Sequence, residues 1–304
     1  MFYPLGCPVE VTTNSDRVLA AARESWKLFE PLFGGTPLTI EIAVSGEGSG
    51  RPPVPSFHSA GSLLAIVSDA TNFAVGDLHG GFAFARLSAD GVGNAEWLRY
   101  HYLDALAYTM LDALRFTPVH AACVELDGAG ILLAGESHAG KSSLAFACAR
   151  AGWTFISDDA SRLIRGEPRV VIGNPYQVRL RPEARELFSE LAQRPERRRA
   201  NGKRVIEIRT ADLDRFRTAS RAAITHVVFL RRTTGEDGLT PISRDTALRR
   251  MEQVIGWTDP SLAAVHRSAL EALVTVDLFE LRYQSIGAAI GHLTTLARSP
   301  RCTA

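Results

Sequence analysis

The sequence predicts an α/β protein with a mixed central sheet in its C-terminal part and a smaller α/β module ahead of it. Three observations carry this. The chain of 304 residues is long enough for one large domain or two modest ones. Short β-like apolar runs alternate with helical periodicities along its length. Within that pattern, Gly130 to Ala134 (GILLA) is an apolar run of strand length, and it leads through a glycine-bearing turn into Ser142 to Gly152 (SSLAFACARAG), which reads as a helix closed by a glycine.

The turn between them, Gly135-Glu136-Ser137-His138-Ala139-Gly140-Lys141-Ser142-Ser143, fits the phosphate-loop pattern G-x-x-x-x-G-K-[ST] without a mismatch. Glycines let the backbone curl so that successive amides and the positive helix end face phosphates. Lys141 would reach the β- and γ-phosphates, and the Ser142 hydroxyl would ligate magnesium. Lysine is scarce here, with only Lys27, Lys141 and Lys203 in the chain, so its place in the motif is not background.

Residues 1–92 read as the N-terminal module and 93–304 as the nucleotide-binding domain. In the module, Thr13 to Asp16 offers caps for a helix over Arg17 to Phe29, with Val18, Ala21, Ala22, Trp26 and Phe29 roughly on one face. Leu38 to Val44 alternates as a strand, Ser45 to Pro55 is a Gly/Ser/Pro-rich loop, and the β-like runs Ser62 to Val67 and Gly81 to Leu87 flank Asp69 to Gly80. His58, Asp77 and His79 fall near turns without partner spacing. Ala95 to Leu114 repeats apolar residues at three- and four-residue steps and predicts one long helix bridging the two parts, in which His101 is a packed or surface residue.

Thr117 to Leu126 predicts a strand joined at Asp127-Gly128 to the one that feeds the loop. That connection carries His120 to the loop end of the pair, either beside the phosphates or merely packed at a strand end. Past the loop helix, Trp153 to Ser157 is a short β-run ending in Asp158-Asp159. Acids at that position serve magnesium or polarise a nucleophile, although an Asp pair also caps turns. Ser161 to Val171 reads as a hairpin, and Gln177 to Arg181 as a strand with Arg179 and Arg181 on one side. One of them could neutralise phosphate charge, or both could solvate a strand face. Pro182 suits the first turn of a helix to about Ala192, and Arg194 to Arg204 is a basic, turn-rich loop. Strands over Val205 to Ile208, Ala223 to Leu230 and Val276 to Tyr283, and helices over Asp245 to Ile255, Ser261 to Val274 and Ser285 to Ala297, complete the core.

A net charge of +1 gives no argument for nucleic acid or an acidic membrane surface. No stretch approaches a membrane span, and no basic leader precedes an apolar segment. The scattered Cys7, Cys123, Cys148 and Cys302 fit neither a metal spacing nor a disulfide framework, which suits free thiols in a reducing, cytoplasmic setting.

Pro118-Val119-His120-Ala121-Ala122, GESHAGKSS at 135–143, Leu144-Ala145, Ala151-Gly152 and Ser157-Asp158-Asp159, in that order and at these separations, make residues 117 to about 290 resemble the catalytic domain of HPr kinase/phosphorylase. Its fold is similar to that of phosphoenolpyruvate carboxykinase. The resemblance implies a P-loop kinase core that uses ATP and magnesium. Lys141 and the loop would hold the phosphates, Ser142 and Asp159 would serve the metal, Asp158 would be the general base, and His120 would lie at the phosphoryl site. It implies a hydroxyl acceptor on a protein, peptide or small molecule, and often a homo-oligomer. Position 138 departs from the family, being histidine where a small residue is usual. The glycine-rich stretch that follows the Asp pair in the HPr enzyme is not found, and residues 1–92 do not read as that enzyme's regulatory domain. The competing functions are a nucleotide-binding switch or ATPase without an acceptor, and a binding module with an inactive loop. No N-K-x-D tetrapeptide or L-S-G-G-Q signature occurs, which argues against a GTPase or a transporter ATPase.

Overall fold

A computed structural model of the chain describes residues 1–46, 50–252 and 259–299. The chain forms two compact units. Residues 1–116, with the short later stretches 199–203 and, among the described residues, 259–263, make the first; the remainder makes the second.

The first unit is a six-stranded mixed sheet in the order Val9–Thr13, Leu38–Ser45, Phe82–Ser88, Phe73–Asp77, Leu63–Val67, Ser56–Ala60. The first three pair in parallel and the rest antiparallel. Side chains alternate across a strand, so Ile40, Ile42, Ala83, Ala85, Ala74 and Ile66 fall on one face and are fully buried. The helix Asp16–Trp26 lies against Val9–Thr13, while Asp104–Leu114 covers Leu38–Ser45 and Phe73–Asp77. The periodic stretch 95–114 is helical, though in three pieces: Ala95–Leu98, a π-helical turn at Arg99–Leu103, and Asp104–Leu114. The Tyr102 hydroxyl in that turn donates to the Asn72 carbonyl at 2.9 Å. The sequence division at 92/93 falls within the short helix Ala89–Gly93, and the helices that follow bury their apolar faces within the first unit. His101 is packed, against Trp97 and Tyr100.

The second unit is organised by a ten-stranded mixed sheet. Its middle runs Thr154–Ser157, Ala121–Leu126, Ala129–Ala134, Arg221–Arg232, Asp277–Tyr283. The loop strand Ala129–Ala134 is buried on both faces, which explains its unbroken apolar run. Ile131 and Leu133 pack on the side of Leu144, Phe146, Leu293 and a small three-stranded sheet (Gln177–Leu180, Arg204–Arg209, Glu196–Arg198). Leu132 and Ala134 pack on the other side, with Ala247, Met251, Leu270 and Leu273 from the helices Arg244–Glu252 and Pro260–Leu273.

Several expectations change. The strand over 117–126 is two strands, Phe116–Val119 and Ala121–Leu126, broken at His120 and occupying different places in the sheet. The helix from Pro182 is replaced by two 3-10 turns, Pro182–Glu186 and Ser189–Leu191, because Phe188 between them is extended. Val9–Thr13, Ser56–Ala60, Phe73–Asp77, Glu196–Arg198 and Gly238–Pro241 are additional strands. Parts of the expected 45–55 loop and of the helix to Ile255 lie outside the described residues, as does Cys302. Cys7, Cys123 and Cys148 are buried free thiols, and burial pushes all three upward, Cys7 to about 12. Among the described residues no helix is long and apolar enough to cross a membrane.

Candidate active site

Strand register gathers the site at one edge of the second unit's sheet. Ala134 ends the loop strand beside Ala121, so His120 stands next to Gly135. Ser157 pairs with Cys123 two residues further along the same strand, which brings Asp158 and Asp159 to that edge. On the other side of the loop strand, Phe229 pairs in parallel with Ala134, so Leu230 to Arg232 continue past it; Arg232 is opposite Tyr283. The resulting order across the edge is acids, His120, phosphate loop, arginines.

The loop has the backbone its sequence implies. Gly135 (φ 145°) and Gly140 (φ 95°) take conformations that L side chains rarely adopt. His138 is left-handed as well, at φ 72°, where a non-glycine residue costs roughly 1 kcal/mol. Gly140 has a second reason to be glycine: a Cβ there would lie 2.3 Å from the Tyr283 hydroxyl oxygen. That buried hydroxyl donates to the Ala139 carbonyl at 2.6 Å and props the loop from beneath. The helix Lys141–Arg150 starts at once, Leu144 N–H bonding to Gly140 O at 2.8 Å, and its first amides have no acceptor within the helix. Lys141 is buried, and its ammonium curls back to donate to the carbonyls of Gly135 (2.9 Å) and Glu136 (3.2 Å). Glu136, Ser137 and His138 are exposed at the tip, Ser142 and Ser143 half-buried at the helix start.

The two aspartates differ. Asp158 is buried, and its Oδ2 accepts the Arg179 backbone N–H at 2.6 Å. Burial pushes its carboxyl above the ordinary aspartate value, with the Arg179 charge opposing in part. Asp159 is exposed, and its Oδ1 lies 3.3 Å from His120 Nδ1. A buried hydroxyl pair secures this arrangement: Ser157 Oγ and Ser161 Oγ are 2.6 Å apart, and Ser161 donates to the Ala121 carbonyl at 3.0 Å. Ser161 therefore ties the aspartate turn to the strand that follows His120, a link that local sequence gives no sign of.

The arginines separate too. Arg179 directs its side chain to Glu207 at 3.4 Å, whereas Arg181 reaches Ser137 Oγ at 3.5 Å, at the tip of the loop. A cavity of about 690 Å³ opens beside the loop, lined among others by His120, Glu136, His138, Phe229, Arg232 and Met251. His58, Asp77, His79 and His101 belong to the first unit and are not part of this edge. Sequence reasoning missed Arg232, Tyr283 and Ser161.

Residues 113–181 match the family model described as the HPr serine kinase C-terminal domain. Over that span the chain is HPr kinase-like. The match contains His120, the whole loop, both aspartates and Arg179, and with the mixed sheet it gives the second unit a P-loop kinase-like fold. Among solved structures, the HPr(Ser) kinase/phosphatase from Coxiella burnetii is similar at 10% identity, over 59% of this chain and 96% of that one, with a TM-score of 0.30. No curated protein matches the chain.

Proposed function

We propose that this protein is an ATP- and magnesium-dependent kinase that transfers the γ-phosphate to a hydroxyl, of serine type, on a protein, peptide or small molecule. The observation that carries the reading is the placement of Asp158, Asp159 and His120 at the sheet edge where the phosphate loop begins. A nucleotide-binding loop alone binds; acids and a histidine beside it supply what an acceptor hydroxyl needs, a base and positioned polar groups.

In this reading the loop amides and Lys141 hold the phosphates, Lys141 exchanging its loop carbonyls for phosphate oxygens. Asp158 is the general base: its burial favours accepting a proton, and the Arg179 N–H holds its Oδ2. His120 orients Asp159 and lies at the phosphoryl site. The cation that offsets charge on the transferring group is Arg181 rather than Arg179, whose guanidinium is engaged by Glu207. Ser142 and Asp159 offer hydroxyl and carboxylate oxygens, a donor set suited to magnesium, which binds through few protein ligands plus phosphate oxygens. Among the described residues no group of three or more His, Cys, Asp or Glu side chains is placed to hold a metal, so a nucleotide must complete the shell. Bound there, magnesium would neutralise phosphate charge. We assign the N-terminal module, residues 1–92, a part in recognising the acceptor, and the chain a homo-oligomeric state.

Nucleotide titration and turnover on three proteins test the reading. The wild type binds ATP and turns it over; Asp158→Asn keeps ATP affinity within about threefold while turnover falls by 10²-fold or more; Lys141→Ala loses both. An Asp158→Asn protein with undiminished turnover would remove the base from the mechanism.

A further inference from the structure

Four arginines stand on or near the strand ends beside the loop, and three of them share one carboxylate. Glu280, nearly buried, takes Arg250 at 3.0 Å, Arg282 at 3.4 Å and Arg231 at 3.9 Å. Arg232 has no carboxylate within ion-pair distance among the described residues. Its guanidinium carbon lies 5.7 Å from the centroid of the Tyr283 ring. Its Nε and one Nη lie 3.5 Å from where a Cβ on Gly140 would be, at the point where the phosphate loop becomes a helix. It also lines the 690 Å³ cavity beside the loop. A cation without an acid, set against a buried tyrosine at the amide end of the loop helix, is arranged for an anion.

Strand order says which anion. The strand bearing Arg232 lies on one side of the loop strand, and the strand that follows His120 and the strand that ends at the aspartates lie on the other. The transferring phosphoryl group moves toward the acids, away from Arg232. Resting on the kinase reading above, we propose that Arg232 contacts the β-phosphate of the bound nucleotide and absorbs the charge that builds on the leaving diphosphate. Amides at the helix start take the α- and β-phosphates in such loops, and Gly140 is where Arg232 reaches. As the β–γ bridging bond breaks, its electrons stay on the β-phosphate oxygen, so a fork of N–H donors there is stronger in the transition state than in the ground state. The Tyr283 prop and Gly140 thereby have a shared purpose: they hold the loop and seat the arginine.

The test is competition binding of ATP, ADP and AMP to the full-length wild type, Arg232→Ala, Arg232→Lys and Arg231→Ala, with turnover measured in parallel. Arg232→Ala should weaken ATP and ADP alike by tenfold to a hundredfold and leave AMP within about twofold. It should lower kcat more than it raises KM. Arg232→Lys should recover most of the affinity but less of kcat, because a point charge replaces a fork. Arg231→Ala should stay within twofold of wild type throughout. Unchanged ADP affinity in Arg232→Ala, or an equal loss for all three nucleotides, would overturn the β-phosphate contact while the kinase reading stands. A wild type that binds none of the three would overturn both.

Discussion

Replacing Gly140 with alanine tests whether Tyr283 is the strut that sets the phosphate loop. Three costs add. The alanine must hold φ near 95°, a region forbidding for a Cβ and worth about 1–2 kcal/mol. Its methyl would meet the Tyr283 oxygen at 2.3 Å, so the buried ring must move, an overpacking worth about 1–3 kcal/mol. The displaced hydroxyl then loses its 2.6 Å bond to the Ala139 carbonyl, about 1 kcal/mol. Gly140→Ala should therefore destabilise by about 3–6 kcal/mol. Tyr283→Phe alone should lose about 1 kcal/mol, but it removes the atom that the methyl strikes. The double variant should thus be more stable than the sum of the two losses predicts, by at least about 1.5 kcal/mol. Urea unfolding of the four proteins, followed by tryptophan fluorescence and by circular dichroism so that coincident transitions check two-state behaviour, measures the coupling. A coupling within about 0.5 kcal/mol of zero would refute the strut.

Other outcomes follow from the same geometry. His266 is buried, with Nδ1 2.9 Å from Thr117 Oγ1, and burial pulls its imidazole down to about 4. The unfolded chain then binds the extra proton between pH 6.5 and 4, so the contribution of His266 is fully present above 6.5 and is lost as pH falls through that window. Unfolding free energy should drop there by up to about 1.4 kcal/mol per pH unit, and a His266→Asn protein should show a shallower slope. Arg179→Met removes the charge that holds Asp158 down against its burial, so the acid limb of the kcat/KM profile should move to higher pH; an unmoved limb would mean that another group titrates. Leu133→Ala, at a fully buried position on the loop strand, should cost about 2–5 kcal/mol in urea unfolding.

The loop and the aspartate pair were legible because each is written in adjacent residues: glycines where the backbone curls, and acids where a short apolar run ends. His120 was legible for a different reason, since a strand–turn–strand connection fixes by counting which residue returns to the loop. The break in the strand at His120 was not, because Phe116–Val119 and Ala121–Leu126 are both apolar and differ only in which strands they meet. Arg232 and Tyr283 enter the site through two parallel pairings that span 95 or so residues and 51 or so residues of chain, and no local period encodes those registers. Ser56–Ala60 was missed because all five residues are exposed and leave no alternation to read. Pro182 misled in the opposite direction: its fixed φ starts a helical turn and Ala184, Leu187, Phe188 and Leu191 keep a helical spacing, yet Phe188 is extended and splits the stretch into two 3-10 turns.

The central claim is transfer to a hydroxyl, and its most direct measurement uses γ-labelled ATP and magnesium with a host lysate divided into macromolecular and small-molecule fractions. The account predicts label in an acid-stable phosphoester in one fraction, present with the wild type and absent with Lys141→Ala and Asp158→Asn. Label released only as inorganic phosphate in both fractions, with ATP bound, would contradict it and make the protein an ATPase or switch.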